Sequence, residues 1–218
     1  MIRCIVFDFD GTLVDTKPVF ISAYNQLARK YGFRSIESSN LEELKRLSLW
    51  ERFSFLQVPL YRLPLLTREF LFLYQLQLKD IHFVPGLEAV LDRLARSGVQ
   101  MAILSSNATS IIESFLLNHG LRELFTIYCS GQLSKKDRIM RRLLKQKNLH
   151  SSEILYVCDE KRDLEACRRM NVTPVWVEWG FETKAALEDL LPAHTAATPG
   201  DLLSVFQAHL PLLQVAPL

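Results

Sequence analysis

No window of this chain approaches the roughly 20 consecutive apolar residues that a bilayer-spanning helix needs. The longest greasy zone, 53–78, is broken by Pro59, Arg62, Pro64, Arg68 and Glu69 and reads as buried helix. The amino terminus, MIRCIVFDFDG, lacks the long apolar region and small-residue cleavage site of a signal peptide. A dominant charge is missing too. The 26 Lys and Arg face 24 Asp and Glu, for a formal +2. Such a balance creates no global field to draw in nucleic acid or anionic lipid, so an anionic ligand must be held by a local arrangement. Cysteine is scarce: Cys4, Cys129, Cys158 and Cys167, three of them in or beside apolar runs. Cys158 and Cys167 are not spaced like a zinc knuckle, and the five His are scattered. Free thiols in a reducing, cytoplasmic compartment are the expectation. Otherwise the composition is ordinary, 49% hydrophobic and 23% charged over 218 residues. That excludes a disordered tract, a collagen-like repeat or a coiled-coil rod and leaves room for one large domain, or a medium one carrying a smaller one.

What the chain does have is a rhythm of short apolar runs. Ile2–Phe7 is rich in β-formers and stops at an acid, as a buried parallel strand does. Similar runs recur at Val99–Leu104, Phe125–Cys129, Ile154–Cys158 and Val172–Val177. Helical patterns lie between them at 85–97, 109–118, 137–147 and 162–170. Strands alternating with helices predict an α/β fold with an open, Rossmann-like parallel sheet of about five strands.

One interval breaks the rhythm. After Asp15 roughly seventy residues pass before the helix near Pro85 begins. Helical spacing runs through 17–31, closed by Gly32, then through 41–55 and 65–78, with no β-rich alternation between. This predicts a small all-helical cap at 16–83, inserted after the first strand of a core made of 1–15 and 84–218. An elaborate crossover inside the main domain is the alternative. The tail shows helix-like pieces at 183–191 and 199–210.

Ligands of open parallel sheets bind beyond the carboxyl ends of the strands, so the residue after each run matters. The first run ends in Asp8, then Phe9, Asp10, Gly11 and Thr12. Two carboxylates two positions apart share one side of an extended segment, and Gly11 permits a sharp turn that Thr12 and Asp15 can hold. The second run ends in Ser105, Ser106 and Asn107; the fourth ends in Asp159 and Glu160, with Asp163 on the same helical face as Asp159. Clustered carboxylates need positive compensation, and an oxygen-rich site suits Mg²⁺. Lys135 and Lys136, opening the next helix, can neutralise an acid and a phosphoryl group together. Taken singly, Asp159 also reads as a turn or cap residue, Ser106 as an N-cap and the lysines as a solvated pair. Their conjunction at successive strand ends is what points to a site.

The motifs resemble those of the haloacid dehalogenase superfamily. DFDGTLVDT at 8–16 is similar to its first signature, SSN at 105–107 to the second, a helix-opening lysine to the third and CDEKRD at 158–163 to the fourth. All four occur in order over roughly residues 1–180, and the insertion falls where the family carries a helical type-1 cap. The resemblance implies that Asp8 is a nucleophile forming an aspartyl-phosphate, and that Asp10 is the general acid and base. It implies Mg²⁺ held by Asp8, the Asp10 carbonyl and Asp159, with Glu160 and Asp163 in support. Ser106, with Gly11, Thr12 and Asn107, would cradle phosphoryl oxygens. Aligning Arg138–Ile139 with the family's basic-apolar pattern selects Lys136, with Lys135 as the alternative. The departure is Cys158 where the family has Gly; it either crowds the metal loop or packs into the core.

Within the superfamily, dehalogenases proper lack an acid at the position of Asp10, because no leaving alcohol needs a proton. The resemblance therefore implies a phosphate monoester hydrolase, similar to phosphoglycolate-phosphatase-like members, acting on a small phosphorylated metabolite. A sugar-phosphate mutase of the same machinery is the alternative, and a non-catalytic phosphometabolite-binding protein is a further one. In the cap, Ser22, Tyr24, Arg46, Arg52, Arg62 and Arg68 could meet a second anionic group. Phe53, Phe55, Phe70, Phe72 and Tyr74 read as packing. Monomer and homodimer are equally compatible with the chain.

Overall fold

Residues Cys4–Phe7 are buried without exception, and their side chains divide between two hydrophobic layers. Ile5 and Phe7 join one layer, and Cys4 and Val6 the other. That division is what a strand covered on both faces requires. The computed structural model describes residues 1–129, 136–187 and 190–214. In chain order its elements are β1 (Cys4–Phe7), β2 (Val14–Asp15), α1 (Lys17–Tyr31), α2 (Ser38–Arg46), α3 (Leu49–Phe55), α4 (Leu63–Leu76), β3 (His82–Phe83), α5 (Leu87–Ser97), β4 (Gln100–Ser105), α6 (Thr109–Asn118), β5 (Phe125–Cys129), α7 (Lys136–Lys147), β6 (Ile154–Cys158), α8 (Lys161–Met170), β7 (Thr173–Val177), β8 (His194–Ala196) and α9 (Pro199–His209).

The main sheet has the order β5-β4-β1-β6-β7-β8. Every pairing in it is parallel. Side chains of α5, α6 and α9 cover one face and those of α7 and α8 the other. Phe7 packs edge-on against Phe125 and Phe206, so a Phe7→Ala cavity would cost about 3–5 kcal/mol. This is the α/β Rossmann-like core. Its sixth strand, β8, is the sequence His-Thr-Ala, too short and too polar to register as an apolar run.

Helical cap elements are inserted after the early strands. The short antiparallel ribbon β2–β3, with Val14 opposite Phe83 and Asp15 opposite His82, closes the insertion at its base. Helices α1–α4 share a small core of their own around Tyr24, Ala28, Leu44, Leu56, Val58 and Leu66. The single helix expected over 41–55 is two. Glu51 accepts hydrogen bonds from the Ser48 N–H (2.8 Å) and hydroxyl (2.6 Å), which starts a new helix at Leu49. In the tail, Lys184–Leu187 form a 3₁₀ turn and residues 188–189 lie outside the described residues. Cys158 packs into the layer under α7 and α8, where burial raises its thiol well above the ordinary value. Among the described residues, no helix is long and apolar enough to cross a membrane.

Candidate active site

Because β1, β4 and β6 are adjacent and parallel, Phe7 lies level with Ile103 on one side and Val157 on the other. The residues that follow them therefore emerge at one edge. The Asp8 N–H still pairs with the Val157 carbonyl (2.9 Å), so Asp8 is fixed by the sheet although it lies beyond it. The chain then reverses: the Gly11 N–H meets the Val14 carbonyl at 3.0 Å with Gly11 at φ +76°. A Cβ at Gly11 would stand 2.4 Å from Asp159 Oδ2, so both the turn and the packing demand glycine.

Lys136 opens α7 and is almost fully buried. Its Nζ lies 2.5 Å from Asp8 Oδ2, 2.7 Å from Asp163 Oδ2 and 3.2 Å from the Tyr156 hydroxyl. Burial works against its charge, but Asp163 and Asp8 outweigh it and hold the ammonium above the ordinary lysine value. Lys135 lies outside the described residues. Asp8, Glu160 and Asp163 each offer an oxygen within 4.8 Å of the others. Burial foremost raises Asp163, and its Oδ1 is buried with no hydrogen-bond partner. Burial would also raise Glu160, but Arg162 and then Lys136 pull it below the ordinary value, and Arg162 pairs with it directly. The other end of that guanidinium donates to Ser106 Oγ at 3.3 Å.

Asp159 stands beside this trio with its oxygens otherwise engaged. Oδ1 accepts from the Thr12 hydroxyl (2.8 Å) and Oδ2 from the Phe181 N–H (2.7 Å). Burial, then the charges of Glu160 and Asp8, raise it well above the carboxylate range. Asp10 lies on the opposite flank. Tyr74, from α4 of the insertion, donates to its Oδ1 at 2.6 Å. Asn107 Nδ2 lies 3.3 Å from Oδ1 and 3.0 Å from Oδ2. Burial pushes the Asp10 carboxyl up to about 6 against the pull of Tyr74, with the charge of Asp8 adding to the rise. An all-oxygen set of acids, two of them buried and one of these with an orphaned oxygen, fits a hard cation such as Mg²⁺.

In the segment after β7, Gly180 and Glu182 carry roles that the sequence pattern did not announce. A Cβ at Gly180 would lie 2.0 Å from Asp159 Cβ, so this backbone walls in the acid. Glu182 accepts from the Lys161 N–H at the start of α8 (2.5 Å) and pairs with Arg52 of α3 at 3.2 Å. Burial pushes its carboxyl up to about 7, with the Glu160 charge next in size and the Lys161 N–H and Arg52 opposing. Lys17 donates to the Trp179 carbonyl (2.7 Å), and Phe20 packs on Phe181 at 5.5 Å. Arg52, proposed to meet a second anionic group, is thus engaged within the protein. Among the aromatics read as packing, Phe72 is exposed and Tyr74 reaches Asp10, whereas Phe53, Phe55 and Phe70 do pack on the insertion's core.

Residues 5–177 match the family model described as haloacid dehalogenase-like hydrolase. A phosphoglycolate phosphatase from Synechococcus elongatus is 32% identical over 210 residues, 92% of this chain and 95% of the relative. One from Vibrio cholerae is 23% identical over 218 residues, covering 94% and 96%. The solved structure of a haloacid dehalogenase-like family hydrolase from Streptococcus pneumoniae superposes with a TM-score of 0.81 at 22% identity, covering 94% of this chain and 99% of that one.

Proposed function

The chain belongs to the haloacid dehalogenase-like hydrolases, and from that premise we propose that it is a Mg²⁺-dependent phosphate monoester hydrolase acting through an aspartyl-phosphate at Asp8. The observation that carries this reading is the joint placement of Asp8 and Asp10 beyond β1, with Asp8 tied to the buried Lys136. Asp8 attacks phosphorus, and the bond to the leaving oxygen breaks as Asp10 hands that oxygen a proton. Asp10, now a carboxylate, takes a proton from water. The resulting nucleophile breaks the acyl-phosphate, releasing inorganic phosphate and restoring Asp8. Lys136 keeps Asp8 oriented and offsets charge on the transferring group. Ser106, held by Arg162, and the backbone around Gly11, Thr12 and Asn107 cradle the phosphoryl oxygens.

Asp8, the Asp10 carbonyl and Asp159 would hold Mg²⁺, with Glu160 and Asp163 completing an acidic shell. When bound, the ion supplies positive charge that orients Asp8 and offsets charge on the phosphoryl group. Residues 16–83 form the cap over a core of 1–15 and 84–218, and the cap excludes water and reads the leaving group. The substrate is a small phosphorylated metabolite, and the likeness to phosphoglycolate phosphatases puts phosphoglycolate first among those to try.

The test is phosphate release from a panel of phosphoglycolate, hexose and pentose phosphates, nucleoside monophosphates and p-nitrophenyl phosphate, with and without Mg²⁺. Asp8→Asn should lose at least about a thousandfold. Phosphate release that survives in that variant, or that ignores chelation of Mg²⁺, would sink the reading. Mass analysis of organic products checks for a phosphoryl group retained and moved, as a mutase would leave it.

A further inference from the structure

A buried tyrosine hydroxyl needs a partner, and a main-chain carbonyl is the ordinary one. Tyr24 finds the Arg34 carbonyl at 2.8 Å, and Tyr156 finds the Leu104 carbonyl at 3.3 Å. Tyr74 differs. Its ring is 2% exposed, and its hydroxyl crosses from α4 of the cap to a carboxylate of the core, Asp10 Oδ1, at 2.6 Å. That length is typical of a charge-assisted bond. Asp10 already has a core donor. The Ala108 N–H donates to Asn107 Oδ1 at 2.8 Å, which fixes the amide so that Nδ2 faces Asp10. Asn107 reaches both carboxylate oxygens, whereas Tyr74 engages only Oδ1. Phe70, one turn earlier on α4, packs against the Tyr74 ring at 6.0 Å and carries Phe20 at 5.0 Å on its other contact. The hydroxyl is therefore held by the cap, not by a flexible side chain.

We propose that Tyr74 is a positioning residue for the leaving-group step: it pins Oδ1 of Asp10 and leaves Oδ2 as the oxygen that carries and delivers the proton. Because the pin belongs to the cap, Asp10 is aligned only while the end of α4 is seated on the core. This rests on the phosphatase reading above.

The experiment compares kcat/KM, which reports aspartyl-phosphate formation, across monoesters that the wild-type enzyme turns over, from alkyl to nitrophenyl. A good leaving group needs little help from an acid and a poor one needs all of it. Y74F should lose about ten- to a hundredfold on alkyl esters, part of the full general-acid contribution. Its loss on p-nitrophenyl phosphate should be at least about fivefold smaller. In the Asp10→Asn background, Y74F should cause no further loss on alkyl esters, because both changes act on one step. Replacing Tyr74 by p-aminophenylalanine keeps a donor at the same place and should return the alkyl-to-aryl ratio toward wild type. It also serves if Y74F melts below the assay temperature. Equal losses on all esters, no loss on any, an additive loss with Asp10→Asn, or a ratio that p-aminophenylalanine fails to restore would each overturn the proposal. These outcomes are separate from failure of the phosphatase reading, which would show as wild-type protein releasing no phosphate or as an active Asp8→Asn.

Discussion

The carboxyl edge of the sheet and the helical insertion are built on opposite terms. At the edge, Asp8, Asp159 and Ser106 follow paired strands, and Lys136 and Asp163 open helices that those strands position. Register fixes their backbones, and one ammonium locks two of the acids. The insertion has its own core and meets the edge through long side chains, Lys17, Phe20, Arg52 and Tyr74, and through one main-chain bond from the Thr183 N–H to the Lys45 carbonyl at 3.4 Å. The difference teaches that the acids and the lysine sit on backbone held by strand register, while the insertion reaches them mainly by side-chain tips.

The strongest way to break that contrast is at Lys136. Lys136→Met leaves Asp8 and Asp163 buried without their common cation. Breaking a buried pair from one side costs about 3–5 kcal/mol, and we expect at least about a hundredfold loss of phosphate release. Urea denaturation in chelator should show most of the stability loss, and added Mg²⁺ should recover part of it. A variant as stable and active as wild type would mean that the edge does not depend on this ammonium.

Gly180 tests whether the wall behind Asp159 matters as much as the acids do. A methyl there collides with Asp159 at 2.0 Å and must move either the acid or the loop. Gly180→Ala should lower kcat/KM about ten- to a hundredfold, since small misplacements at a reacting centre have that effect. It should also raise the Mg²⁺ concentration for half-maximal activity. Overpacking should destabilise the fold by about 1–3 kcal/mol. An unchanged Mg²⁺ requirement would place the strain elsewhere.

The edge was legible in the sequence because two of its acids end apolar runs. β1 and β6 announce Asp8 and Asp159 by stopping at them, and Asp10 and Asp163 follow at fixed local spacing. Lys136 needed the family pattern to separate it from Lys135. What stayed hidden depends on long-range approach. Tyr74 has the helical spacing of a core aromatic, and nothing local says that its hydroxyl meets a residue 64 positions away. Gly180 and Glu182 lie in a loop without periodicity, and their meaning comes from Asp159 and Arg52. The same holds for β8, whose three residues become a strand only because β7 offers an edge.

Glu182 sharpens the comparison from the side of the insertion. Arg52 of α3, the Lys161 N–H of α8, Glu160 and Arg162 all face it. Unfolded, this carboxyl titrates near 4.5; folded, it is pushed up to about 7. Below pH 4.5 it is protonated in both states and contributes no pH dependence. Between 4.5 and 7 the unfolded chain gives up the proton first while the native protein keeps it. The unfolded state then binds fewer protons, and stability falls as pH rises through that window. Glu182→Gln is neutral throughout, so in metal-free protein its stability difference between pH 5 and pH 8 should shrink by about 1–3 kcal/mol relative to wild type. Urea denaturation of both proteins at the two pH values in chelator measures this directly. If the slopes coincide, the link from Arg52 through Glu182 to α8 carries no titrating charge.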